Sequence, residues 1–156
     1  MDKIIIENPR GVLKQLSSGK FELKWAPDFQ GKMQRRFDST QAFIDSEIIR
    51  CMKSYTPMRN GILYKSAILG TEIGSGSIMY AAPYARYQYY GKLMVSRITG
   101  SSYALADEKK ILTDKDLMYS KARHRLAGAY WFERMKADKL TVILRGAAKL
   151  AGGSPG

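Results

Sequence analysis

"DFQGKMQRRFDSTQAFIDSEIIRCMKSY", residues 28–55, sets the architecture. Phe29, Met33, Phe37, Ile44, Ile48, Met52 and Tyr55 recur at helical spacing, the signature of a helix with one apolar stripe. Arg35, Arg36, Asp38, Asp45, Glu47 and Arg50 mostly fall on the other face, and Asp28 stands where a helix cap belongs. The stripe reads as core. Pro57 and Asn60-Gly61 then end the helix, because proline lacks the N–H a helix needs and Asn-Gly favours a turn.

Upstream, "KIIIEN" (3–8) and "GKFELKWA" (19–26) are expected to be short strands joined by "PRGVLKQLSS" (9–18). In the second, Phe21, Leu23 and Trp25 alternate with Glu22 and Lys24, the period of a half-buried strand. Downstream, "ILYKSAIL" (62–69) fits a helical turn or the start of a strand. "AILGTEIGSGSIMYAA" (67–82) is expected to form a β-hairpin around Gly74-Ser75-Gly76. "APYARYQYYGK" (82–92) reads as a short helix opened by Pro83 and closed by Gly91. On it Tyr84, Tyr87 and Gln88 share one face; Arg86, Tyr89 and Tyr90 share another. Residues 92–127 show mixed charge and little periodicity, and are expected to be a long extended arm with short strand pieces. "AGAYWFERMKADKL" (127–140) and "KLTVILRGAAKLAGG" (139–153) are expected to be two further helices. The whole predicts an α+β fold: the long helix packed on a small antiparallel sheet, with C-terminal helices and the arm. One domain over residues 1–151 and a flexible tail at 152–156 complete it.

The chain's 156 residues suit one domain, and nothing in the composition demands a covalent staple. Cys51 and His124 are each single, so an internal disulfide and a zinc site of ordinary ligand count are excluded. Neither residue has flanks that suggest an exposed nucleophile. No run approaches the ~18 apolar residues of a membrane span, and the opening run of three isoleucines is no signal peptide. A reducing cytoplasm is the expected place of synthesis.

The formal net charge is +12 and uneven: residues 1–78 carry 12 Lys/Arg against 8 Asp/Glu (+4), and residues 79–156 carry 14 against 6 (+8). Such a surface attracts nucleic acid, acidic lipid or an acidic protein. "GTEIGSG" (70–76) lacks the Lys-Ser/Thr of a phosphate-binding loop and the strand–glycines–helix order of a dinucleotide site. Thr113, Asp114 and Asp116 lack the glycine and distal glutamate of a calcium loop. No pair of acids is set up for general acid–base work. No enzymatic activity, cofactor or metal is expected.

The tyrosine–arginine block remains. Tyr84, Arg86, Tyr87, Tyr89, Tyr90 and Lys92 are the candidate interface residues, since Tyr and Arg combine large contact area with a polar tip. A buried aromatic core is one alternative. A nucleic-acid platform is the other, with tyrosines stacking bases and Arg86 and Lys92 holding phosphates.

With these residues in view, the chain resembles a family of phage minor capsid proteins from tailed phages and prophages of Gram-positive bacteria, and more distantly the tail-completion proteins of long-tailed phages. The resemblance lies in "SYTPMRNGILYKSA" (54–67), with Pro57, Gly61 and Leu63 in the pattern Pro-x-x-x-Gly-x-Leu. It continues through the glycines at 74 and 76, and Tyr84-Ala85 through Gly91-Lys92. Trp131, Glu133 and Arg134 in "WFERMKAD" (131–138) complete it. It spans roughly residues 30–151; Met58-Arg59-Asn60 departs from the threonine common before the glycine. The resemblance implies a structural protein of the virion neck, made in the host cytoplasm. Such proteins form rings, commonly six- or twelve-fold, between head-closure and tail-terminator layers. It implies self-association and contacts with neighbouring neck and tail proteins and with DNA passing through, and no membrane. The alternative from composition alone is a basic nucleic-acid-binding module using the same block.

Overall fold

The computed structural model describes residues 4–153 except 18, 104 and 106. Of the tail at 152–156, residues 154–156 lie outside the described residues. The elements are β1 (Val12–Leu16), β2 (Gly19–Leu23), α1 (Phe29–Met52), α2 (Ile62–Gly70), α3 (Ala85–Tyr90), β3 (Lys92–Ser96), β4 (Lys110–Asp116) and α4 (Trp131–Ala151). Two antiparallel pairs, β1–β2 and β3–β4, form two separate small sheets. The class is α+β, as expected.

Helix α1 forms where the periodicity places it. Its burial deepens toward the C-terminal end, where Ile49, Met52 and the following Tyr55 are buried. The expected side-chain cap is absent: Asp28 precedes the helix, but its carboxylate pairs with Lys32 at 2.6 Å instead. That pair holds the Asp28 carboxyl below its usual range. The principal partner of α1 is α4, where a sheet was expected. The two helices approach closely at Gly146: a Cβ there would lie 2.5 Å from the Phe43 ring. Glycine weakens a helix interior; here the missing side chain is the space Phe43 fills.

The C-terminal region is one helix where two were expected. Ala137-Asp138-Lys139-Leu140 contains no breaker, so the turns run on until Gly152, which takes φ +86° and caps the end. Trp131, Met135 and Ile143 face the core with Met52, Tyr55, Leu63, Ala82 and Ala85.

Two strand expectations fail for identifiable reasons. Residues 4–8 pair with no strand. They lie beside α1, and the Gln34 side chain serves both bonding directions, accepting from the Ile6 N–H (2.9 Å) and donating to the Ile4 carbonyl (3.1 Å). The partner of β2 is β1, inside the segment expected to be a connector. The expected hairpin at 67–82 is not a hairpin either. Leu63 and Ala67, four residues apart, are both buried, so helical spacing prevails through Gly70. The return segment is then tied to the helix end by Met79 N–H to Thr71 Oγ1 (3.0 Å) and Ala81 N–H to the Ser66 carbonyl (3.3 Å). The expected arm begins as a real hairpin, β3–β4, and its remainder is fastened down. Leu117 N–H bonds the Gly91 carbonyl (2.7 Å), Tyr119 donates its hydroxyl to the Gln88 carbonyl, and Tyr130 N–H bonds the Tyr89 carbonyl (2.8 Å).

Candidate interface around helix α3

Pro83 and Gly91 bracket α3 as the sequence suggests. Gly91 takes φ +73° and returns its N–H to the Tyr87 carbonyl at 3.0 Å. It is also a close-approach point: a Cβ would lie 2.9 Å from Ala129 Cβ. The helix is thereby held between the core and the residues before α4.

Its two faces line two different grooves. Arg86, Tyr89 and Tyr90 border an open groove of about 520 Å³ between α1, α3 and the start of α4, lined by Ile44, Ile48, Met52, Tyr80, Trp131 and Phe132. Tyr84, Tyr87 and Gln88 border a second concavity with Lys92, Leu93, Leu105, Lys109 and Lys110. The expected grouping of side chains by face therefore holds, and the block is two surfaces rather than one patch.

Within the block, Tyr84, Tyr87 and Tyr90 are 41%, 37% and 52% exposed, and Arg86 is exposed. Tyr89 is the half-buried member. Its ring meets Trp131 edge-on (4.8 Å, 89°) and also contacts Tyr90 and Tyr130, each at 5.5 Å. Burial raises its phenol pKa. Such edge-to-face contacts add about 0.5–1.5 kcal/mol each beyond area burial, so Tyr89 fixes α3 to the core while its neighbours face outward. Lys92 is not available as a free cation: it pairs with Asp116 across β3–β4, and that hydrogen bond raises its pKa.

Asp45, placed by periodicity on the polar face, is 1% exposed. One carboxylate oxygen accepts from the Gly74 and Gly76 N–H groups (2.8 and 3.1 Å), the other from Gln41 Nε2 (2.8 Å). Both glycines have positive φ, 95° and 73°, and their N–H groups converge as in an anion nest. The anion in this nest is the chain's own carboxylate. The sequence signal was Gly-Ser-Gly; nothing in it named the partner.

Among the described residues between β3 and β4, Glu108 is a hydrogen-bonding hub. Glu108 accepts from the Ser96 hydroxyl, the Ile98 N–H (3.2 Å) and the Leu105 N–H (3.4 Å). These bonds, the Ser96 hydroxyl first, hold its carboxyl below the usual range. Ile98, Tyr103 and Leu105 project from this loop into solvent. No sequence pattern singled out Glu108.

The residues weighed for other chemistry have structural tasks. His124 Nδ1 contacts the Thr56 carbonyl (2.9 Å), tying the segment before α4 to the end of α1. Thr113 donates to the Leu93 carbonyl (2.8 Å), and Asp116 pairs with Lys92. Among the described residues no group of three or more His, Cys, Asp or Glu is placed to hold a metal, and no helix is long and apolar enough to cross a membrane.

Tyr55 links the two long helices, donating its hydroxyl to Asp138 at 2.6 Å. That hydrogen bond, followed by burial and the charge of Asp138, pushes its pKa up to about 12. The folded state thus holds the phenolic proton more tightly than the unfolded chain, whose tyrosine titrates near 10. The associated stability is complete below pH ~10 and is lost as pH rises toward about 12. In urea titrations between pH 9 and 12, Tyr55→Phe is expected to lose stability less steeply than wild type. Equal slopes would remove Tyr55 from the alkaline transition.

No family model, curated protein or solved structure matches the chain.

Proposed function

We propose that this chain is a structural subunit of the neck of a tailed phage, a head–tail connector of the tail-completion type that assembles as a ring with copies of itself. It is made in the host cytoplasm, works in the virion and catalyses no reaction. The observation that carries the assembly half of this reading is an area. The chain exposes 11828 Å², whereas a compact monomer of 17.6 kDa exposes about 7,900 Å². The excess, about 3,900 Å², is of the size that two extensive neighbours would cover. The phage half rests on the resemblance across residues 30–151. The outward tyrosines of α3, the apolar tips Ile98, Tyr103 and Leu105, and the first hairpin are the surfaces such a subunit offers to copies of itself and to adjacent neck and tail proteins.

The second concavity supports a second reading, a nucleic-acid-binding module. Tyr84 and Tyr87 line it together with Lys109 and Lys110, the stacking and phosphate-holding groups a single strand requires. Tyr90 belongs to the other groove, so on this reading Tyr87→Ala weakens binding and Tyr90→Ala does not.

Light-scattering mass of the purified protein, alone and with fragmented DNA at low and moderate salt, separates the two. The ring reading expects a defined multimer of the 17.6 kDa chain, unchanged by DNA and ring-shaped in negative stain. A monomer at every concentration, binding DNA with an affinity that falls steeply with salt and is lost in Tyr87→Ala, overturns it.

A further inference from the structure

The first hairpin, the β1–β2 ribbon, presents a largely apolar face that is about half exposed. Val12 pairs with Leu23, and Lys14 with Phe21. Cross-strand partners share a face, so Val12, Phe21 and Leu23 lie together with Lys14, and Trp25 follows two residues on. All four are 41–56% exposed. Lys20, Glu22 and Lys24 alternate onto the opposite face, where Lys24 and Glu22 pair at 3.0 Å. A lone two-stranded hairpin is at best marginally stable in water; it needs a third strand or a helix against its apolar face.

A helix face of matching extent is open on the same molecule. On α4, Met135, Ile143 and Ala147 are buried. At 100° per residue, Ala137, Leu140, Thr141, Leu144, Ala148 and Ala151 fall on one other stripe. From Ala137 on the stripe carries no charge, Glu133 lying one turn before it on the same line, and Leu140 and Leu144 are 41% and 53% exposed. It is about 21 Å long; the five-residue strands of the ribbon span about 17 Å. The ribbon offers large side chains, and the helix offers two leucines between small residues.

We infer that the occupant of the ribbon's apolar face is a second copy of this chain, with β1–β2 of one subunit seated on the Leu140–Leu144 face of the next. The inference rests on the ring reading and specifies its joint. Because ribbon and helix face are different surfaces, each subunit donates one and accepts with the other. This is the head-to-tail contact that closes rings. The uncovered area of about 3,900 Å² accommodates two such contacts per subunit. Lys14 lies on the ribbon's apolar face, and Glu133 lies on the line of the helix stripe, one turn before Ala137.

The test uses the full chain. Phe21→Asp and Leu140→Asp change exposed positions, so each variant is expected to keep the wild-type circular dichroism spectrum. Each is expected to weaken assembly about 30-fold or more, with mass falling toward 17.6 kDa. In a Cys51→Ser background, mixing Phe21→Cys protein with Leu144→Cys protein is expected to give the mixed disulfide-linked dimer in excess over either homodimer. A multimer unchanged by both aspartates, or homodimers in excess, overturns this joint and leaves the ring standing. A wild-type chain that stays monomeric at all concentrations and salts overturns the ring reading itself.

Discussion

Replacing Trp131 with alanine is expected to cost about 3–5 kcal/mol of folding stability, the range for truncating a buried aromatic in a core that collapses only partly. Trp131 is 2% exposed and is the first residue of α4, where four parts of the chain converge. Its ring meets Tyr80 at 5.3 Å on the return segment and Tyr89 at 4.8 Å on α3, and it packs with Met52 of α1 and Met135 of its own helix. Removing it takes away core volume and both aromatic contacts. For a chain of this length the loss corresponds to a fall in Tm on the order of 10 °C, a large share of the 5–15 kcal/mol typical of domains. The other tryptophan supplies the control. Trp25 is 41% exposed and meets one ring, Phe29, at 4.8 Å, so Trp25→Ala is expected to move monomer stability by less than about 1 kcal/mol. Thermal unfolding by circular dichroism measures both. Fluorescence adds an independent check: the protein left with Trp25 emits as an exposed indole, the protein left with Trp131 as a buried one. Equal small losses in the two variants would mean that Trp131 is not the keystone of the core.

The difference between these tryptophans marks how far the sequence was readable. Local periodicity found α1, because 24 helical residues repeat the same apolar spacing several times over. It also grouped the side chains of α3 correctly, since Pro83 and Gly91 bounded the helix and its faces followed from geometry. Periodicity failed wherever a partner distant in the chain decided the outcome. Residues 4–8 look like a strand, but the Ile4 carbonyl and the Ile6 N–H bond the Gln34 side chain rather than a ladder. Residues 67–82 alternate like a hairpin, yet burial of Leu63 and Ala67 commits the first part to a helix. At the C-terminus two helices were expected over 127–140 and 139–153, and one 21-residue helix runs through both. In the Tyr/Arg block the residue types suggested an interface among other readings, and only packing shows that Tyr89 anchors while Tyr84, Tyr87 and Tyr90 face outward. Lys92 read as a free cation because Asp116 lies 24 residues away.

Asp45 is the sharpest case of a residue whose role the sequence concealed, and its substitution makes the second large prediction. Asp45→Ala is expected to cost about 2–4 kcal/mol. The reason is not the lost carboxylate alone: the N–H groups of Gly74 and Gly76 and the Gln41 amide would all lose their acceptor. These bonds are part-buried, with both glycines at the surface, so water relieves part of the cost of about 1–3 kcal/mol that each fully buried orphan donor would carry. Asp45→Leu should be no better than alanine, since it fills the volume and still orphans the donors. Asp45→Asn separates geometry from charge. Its oxygen can take the two glycine N–H groups, and its amide can donate to the Gln41 oxygen once that side chain turns over, so most of the stability is expected to return. Hydrogen exchange at Gly74 and Gly76 reads the contact directly: faster in the alanine and leucine variants, close to wild type in asparagine. The consequence extends beyond stability, because Gln41, Asp45 and Gly76 line the groove that Arg86, Tyr89 and Tyr90 border. A loop released from Asp45 would reshape that groove while leaving the β1–β2 ribbon and the Leu140–Leu144 face in place. The ring reading therefore expects Asp45→Ala to be less stable yet still self-assembling below its own Tm. An alanine variant as stable as wild type, with glycine exchange unchanged, would show that the carboxylate does not hold the loop.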